Sequence, residues 1–289
     1  MRTENEMLQL IVQFAQENEH IRAVIMNGSR VNPNVPKDIF QDYDIVYVVA
    51  SLQSFINDRS WIKRFGELII MQTPDEMGPE ASEPFHKFAF LMQFTDGNRI
   101  DLTYFAADQV AALGRDSLSV LLLDKDGIIE PFAEPSNRDY LPEPPTAAEF
   151  ANCCNEFWWV STYIAKGLWR RELAYAKFMY DRPVRDMLIK MLQWHIGVKT
   201  DFAVDSGKCG KYFETYLEPD YWAAFVRTYS DGDYDNMWNG LFVMCELFRE
   251  TALGVADHFG YPYAAEEDER VTAHLAHVRE LPSNADGIY

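Results

Sequence analysis

The chain has 289 residues, 26 Lys and Arg against 45 Asp and Glu, a formal net charge of −19 and 48% hydrophobic residues. That apolar content, without low-complexity tracts, excludes a disordered chain, and the length suffices for two domains whose cores need no disulfide staples. The acidity argues against nucleic acid or an anionic membrane surface as partner, since both are bound through clustered Lys and Arg, and leaves a cationic ligand or simple solubility as its explanation.

In chain order, residues 4–18 place Leu8, Ile11, Val12 and Ala15 at the spacing of an amphipathic helix. An apolar strand follows over 21–26 and ends at Asn27-Gly28-Ser29; residues 30–41, with two prolines and two asparagines, are a loop. Residues 44–49 are a strand, 61–65 a short helix and 68–71 another strand. The stretch 74–84 is a loop carrying Asp75, Glu76, Glu80 and Glu83 with no basic residue. A hairpin is expected from 88–94 and 99–105 around Thr95-Asp96-Gly97-Asn98, then a strand over 120–123 closed by Asp124-Lys125-Asp126-Gly127.

The character changes at Leu141-Pro142-Glu143-Pro144-Pro145, a linker that can continue neither a helix nor a sheet. Thr146-Ala147-Ala148-Glu149 then matches a capping box, and helices are expected over 146–169, 172–180, 184–198, 221–229 and 236–259. Their tryptophans, Trp158, Trp159, Trp169, Trp194, Trp222 and Trp238, sit at helical spacing and are expected in a bundle core. The fold class is therefore α+β, with a mixed-sheet domain flanked by helices over 1–141 and an α-helical bundle over 146–289. Cys153, Cys154, Cys209 and Cys245 form no CxxC pair, the N-terminus lacks a signal-peptide core, and no apolar run reaches the roughly 18 residues of a membrane span, so a cytoplasmic protein is expected.

One constellation carries chemistry: Gly28-Ser29, a spacer of 12 residues, Asp42-Tyr43-Asp44, and later Arg99-Ile100-Asp101-Leu102. Gly28 permits a tight turn and close approach of N–H groups to an anion, and Ser29 adds a hydroxyl. Asp42 and Asp44, two apart, project from one face of an extended segment, where two carboxylates call for a cation; oxygen ligands suit Mg²⁺ or Mn²⁺. Tyr43 then points to the opposite face. Asp101 stands in a run otherwise fit for burial, and if its strand lies beside that of Asp44 the three carboxylates can hold two metals about 3.5–4 Å apart.

This pattern resembles the nucleotidyltransferase superfamily. The strings ending in Asn27-Gly28-Ser29-Arg30, together with Phe40-Gln41-Asp42-Tyr43-Asp44-Ile45, Asn98-Arg99-Ile100-Asp101-Leu102-Thr103 and Ser206-Gly207-Lys208-Cys209-Gly210-Lys211-Tyr212-Phe213, look like the aminoglycoside 6-adenylyltransferases, the streptomycin-modifying enzymes of bacteria. The resemblance covers essentially the whole chain. It implies a nucleotidyltransferase-type sheet domain and transfer of AMP from ATP to a hydroxyl of a cationic aminoglycoside, with Mg²⁺ and release of pyrophosphate. It also implies that Gly28 and Ser29 hold the phosphates, that Asp42, Asp44 and Asp101 ligate metal, and that Asp101 accepts the hydroxyl proton. Lys208 and Lys211 would reach the triphosphate from the helical domain, and Arg30 would serve either as a phosphate contact or as a structural ion pair. Trp158, Trp159 or Tyr163 would wall the drug cleft, and the protein would act as a monomer or homodimer. The competing readings are a nucleotidyltransferase with another acceptor, either a protein side chain or a different small molecule, and a catalytically silent nucleotide-binding protein.

Overall fold

The computed structural model describes residues 1–77 and 86–289, and the chain divides into two compact units, Met1–Asp139 and Tyr140–Tyr289. The first unit opens with helix α1, Glu4–Glu17, whose N-terminus is closed by a capping box: the Thr3 hydroxyl accepts from the Glu6 amide while the Glu6 carboxylate accepts from the Thr3 amide. Strands β1 (Ile21–Asn27) and β2 (Tyr43–Val49) follow, then helix α2 (Leu52–Asn57), β3 (Leu68–Gln72), β4 (Lys87–Phe94), β5 (Arg99–Ala106) and β6 (Ser119–Asp124). The strands form one mixed sheet in the order β3-β4-β5-β2-β1-β6. β2 and β5 pair in parallel; the other pairings are antiparallel.

Alternation along the strands assigns the faces. Tyr43, Ile45 and Tyr47 of β2 and Ile100, Leu102 and Tyr104 of β5 bury into one cluster with Met7 and Ile11 of α1, and the Tyr47 hydroxyl donates to the Ile11 carbonyl at 2.8 Å. Asp44, Val46 and Val48, and Arg99 and Asp101, therefore face the other side, where Val48 packs with Ala23, Ile25 and Ile129.

The second unit is helical: α3 (Ala147–Trp169), α4 (Leu173–Met179), α5 (Arg185–Lys199), α6 (Phe213–Tyr216), α7 (Pro219–Arg227), α8 (Tyr234–Phe259) and α9 (Ala265–Glu280). The expected capping box starts α3, with Thr146 and Glu149 exchanging hydrogen bonds. The core is aromatic, Phe157 of α3 stacking on Phe248 of α8 at 3.7 Å between ring centroids. Trp158, Trp194 and Trp238 are buried as bundle core, whereas Trp159 is exposed and donates to the Tyr163 hydroxyl.

Several segments differ from the sequence expectation. Residues 60–64 form a 3-10 turn where a short helix was expected, and Tyr180–Val184 make a π turn containing Pro183 that joins α4 to α5 without a break. Helices α2 and α9 had no sequence signal: α2 is only six residues, and α9 buries little beyond Leu275, Val278 and Asp268, too narrow a stripe for periodicity to register. No helix among the described residues is long and apolar enough to cross a membrane.

Candidate active site

The parallel register of β2 and β5 sets Asp44 directly beside Asp101. Asp42 precedes β2 by one residue, and ligand oxygens of Asp42, Asp44 and Asp101 all lie within 4.8 Å of one another. The three carboxylates expected from the sequence thus converge on the sheet face opposite α1. Tyr43, between two of them, turns the other way into the core, as alternation requires.

Gly28 explains how the turn after β1 can lie against this group. Its backbone, φ 79° and ψ −153°, is a conformation open essentially to glycine alone, and a Cβ there would stand 2.1 Å from Asp44 Oδ2. The Gly28 amide donates to the Leu118 carbonyl at 3.0 Å, so what this residue contributes is space for the Asp44 carboxylate more than an N–H of its own. Ser29 begins a 3-10 turn, Ser29–Val31, and its hydroxyl makes no hydrogen bond to another described residue. Gln41 Nε2 donates to the Ser29 carbonyl at 3.2 Å, bracing that turn against the segment that carries Asp42.

Arg30 is buried, and its guanidinium is committed to that brace. Nε donates to the Asp42 carbonyl at 2.9 Å and Nη2 to the Gln41 carbonyl at 2.5 Å; the group lies 3.7 Å above the Tyr43 ring, with Glu4 3.8 Å from Nη1. Of the two roles weighed for Arg30, the structural ion pair and strap is the one these contacts occupy.

Electrostatically the site carries more negative than positive charge. The Asp44 carboxyl is pushed up to about 7, first by burial and then by repulsion from Asp42 and Asp101, against a smaller pull from Arg99 and Arg30. A set of oxygen donors this close, with one carboxylate held so far from its ordinary range, fits a hard divalent cation, which would remove the repulsion. Arg99, absent from the sequence assignment, supplies part of the compensation: Nε and Nη2 donate to the two Asp101 oxygens at 2.7 and 2.6 Å, and Nε lies 3.7 Å from Asp42 Oδ2. Its signal was present in the sequence, since residues two apart on a strand share a face. Gln41 left no comparable signal.

The remaining predicted residues belong to other segments of the chain. Lys208 and Lys211 belong to the second unit, both exposed, in a tight loop where Gly207, Cys209 and Gly210 all have positive φ. A Cβ on Gly207 would meet the Lys211 side chain at 2.5 Å, and one on Gly210 the Phe213 ring at the same distance, so the two glycines set how this basic loop folds. In the acidic loop, Asp75 accepts from the Ala89 amide at 2.7 Å and Glu76 pairs with Arg59 and Thr73, so both serve the fold of the first unit; Glu80 and Glu83 lie outside the described residues. The four cysteines are free, and the Asp42, Asp44 and Asp101 group is the metal-compatible cluster found among the described residues.

Comparison with known proteins gives this geometry a family. The profile of the streptomycin adenylyltransferase family matches residues 1–278. Aminoglycoside 6-adenylyltransferase of Bacillus subtilis (strain 168) is 40% identical over 276 residues, covering 94% of this chain and 96% of the relative. The enzyme of the same name from Campylobacter jejuni is 37% identical over 277 residues, covering 95% of each. The crystal structure of an aminoglycoside 6-adenyltransferase from Bacillus subtilis aligns at 34% sequence identity and a TM-score of 0.48, covering 97% of this chain and 100% of that one. With a family profile spanning nearly its whole length and relatives of this identity, the chain belongs to the streptomycin adenylyltransferase family.

Proposed function

We propose that this protein transfers AMP from Mg·ATP to a hydroxyl of a streptomycin-like aminoglycoside, releasing pyrophosphate and conferring resistance to the drug. The observation that carries this reading is the convergence of Asp42, Asp44 and Asp101 beside the Gly28-Ser29 turn. Support comes from the relatives, which are named for that activity.

In this scheme Asp42, Asp44 and Asp101 hold Mg²⁺, which when bound supplies charge neutralisation on the α-phosphate and the leaving pyrophosphate. Gly28 and Ser29 seat the β- and γ-phosphates, Ser29 through its unengaged hydroxyl, while Arg30 and Gln41 keep that turn in register with Asp42. The acceptor hydroxyl oxygen bonds to the α-phosphorus as the bond from that phosphorus to the pyrophosphate oxygen breaks, and the hydroxyl proton passes to Asp101. An Asp101 carboxylate gripped by a guanidinium fork is a weak base, so this step requires the fork to open. The first unit, in this reading, is the catalytic domain; the helical unit closes over the substrates and brings Lys208 and Lys211 to the triphosphate. The net charge of −19 favours the approach of a polycationic drug.

The test is to incubate purified protein with ATP, Mg²⁺ and a panel of aminoglycosides while measuring pyrophosphate. Release should depend on streptomycin or a close relative and vanish in Asp42→Asn. Release with none of the panel would sink the substrate assignment, and full activity in Asp42→Asn would sink the metal assignment.

A further inference from the structure

Among the described residues, Arg99 alone forms ion pairs with the carboxylate group. Its fork covers both oxygens of Asp101, which are the atoms a cation at the centre of the group would need. A guanidinium and a divalent cation cannot share those oxygens without like-charge repulsion at a few ångströms. Asp42 and Asp44, by contrast, accept no guanidinium hydrogen bond through their carboxylates, with Arg99 Nε standing off at 3.7 Å from Asp42. The site is therefore split into two open carboxylates and one held by Arg99.

Nothing holds Arg99 in place from the other side. Its side chain is 45% exposed, Nη1 has no hydrogen-bond partner among the described residues, and at that exposure the pair with Asp101 is a weak restraint. The planar fork that matches a carboxylate matches a phosphate equally well. We propose that Arg99 is a resident counter-cation of this site: it occupies Asp101 in the nucleotide-free protein, is displaced when a divalent cation enters, and then takes a phosphate oxygen of the nucleotide. Binding of metal and of triphosphate are coupled as a result, because the nucleotide offers Arg99 a new partner at the moment Asp101 is needed by the metal. The phosphate half of this exchange rests on the adenylyl-transfer reading above.

The experiment measures Mn²⁺ binding to nucleotide-free protein by electron paramagnetic resonance, for the parent, Arg99→Met, Arg99→Lys and Asp101→Asn. Removing a positive charge a few ångströms from the bound ion should tighten Mn²⁺ binding in Arg99→Met by at least about ten-fold. Arg99→Lys, which keeps the charge and loses the fork, should fall between, and Asp101→Asn should bind more weakly than the parent. The KM for the metal–ATP complex should move the opposite way in Arg99→Met, upward, because the phosphate contact is gone. A residue that merely props the site would weaken both. Unchanged, weaker or absent Mn²⁺ binding in Arg99→Met overturns the proposal; should that variant not fold, Arg99→Gln is measured in its place with the same expectations. Tightened Mn²⁺ binding without AMP transfer in the parent would leave the counter-cation standing and remove the transfer reading, and the reverse pattern would do the opposite.

Discussion

Replacing Gly28 by alanine places the smallest side chain where the structure has no room for one. The new Cβ would lie 2.1 Å from Asp44 Oδ2 and 3.0 Å from its Cγ, so the carboxylate or the turn must retreat by more than about 1 Å to reach ordinary contact distance. The backbone adds its own penalty, because φ 79° with ψ −153° costs a residue bearing a Cβ about 1–3 kcal/mol. That is a tolerable loss of stability for a domain of this size, whereas displacing a carboxylate in the proposed metal site by 1 Å should lower turnover by on the order of 100-fold. The variant should therefore fold, melt modestly earlier in urea or heat, and lose kcat out of proportion to its stability. Steady-state kinetics with ATP and streptomycin, run well below the melting temperature and alongside circular dichroism, measure both effects. A variant with kcat close to the parent's would refute the reasoning, since it would show that Asp44 need not occupy the space that Gly28 leaves.

The remaining predictions concern charge and bracing. Because the folded value of Asp44, about 7, lies above its ordinary value of 3.8, its contribution to stability is complete below pH 4 and lost as pH rises toward 7. In chelator, the loss across that window should be about 2–4 kcal/mol, and Asp44→Asn should remove it and be the more stable protein at neutral pH. Added Mn²⁺ should narrow the difference; urea unfolding at several pH values decides, and a parallel pH dependence in both proteins would contradict the assignment. Arg30→Met strips the brace from the Gln41 and Asp42 carbonyls and should destabilise the first unit by about 1–3 kcal/mol while lowering kcat, without altering which aminoglycoside is used. A loss confined to KM for ATP would instead mark Arg30 as a phosphate contact.

Much of the site was legible because its chemistry is local in sequence. Asp42 and Asp44 share a face by simple alternation, Gly28-Ser29 marks a turn at a strand end, and a lone carboxylate in the apolar run around Asp101 demands a partner. The capping box at Thr146, the hairpin of β4 and β5 and the order of strands before helices followed from equally short-range rules. The misses were elements whose identity depends on surroundings. Helix α9 hides its core face behind a charged composition, and the 3-10 turn at residues 60–64 differs from an α-helix in bonding each amide to the carbonyl three residues back, a choice that sequence pattern does not separate in five residues.

Sequence alone thus determined which residues could bind a cation and what kind of fold would present them. The parallel pairing of β2 with β5 decided that Asp44 and Asp101 are neighbours, for register is a property of two strands and cannot be read from either one. Tertiary packing likewise set two Arg30 nitrogens against the Gln41 and Asp42 carbonyls and placed the Arg99 fork on Asp101. The physical reason is common to all of these: a side chain's partner is set by distances through space, and a charged group near others takes the role that leaves the fewest of them uncompensated.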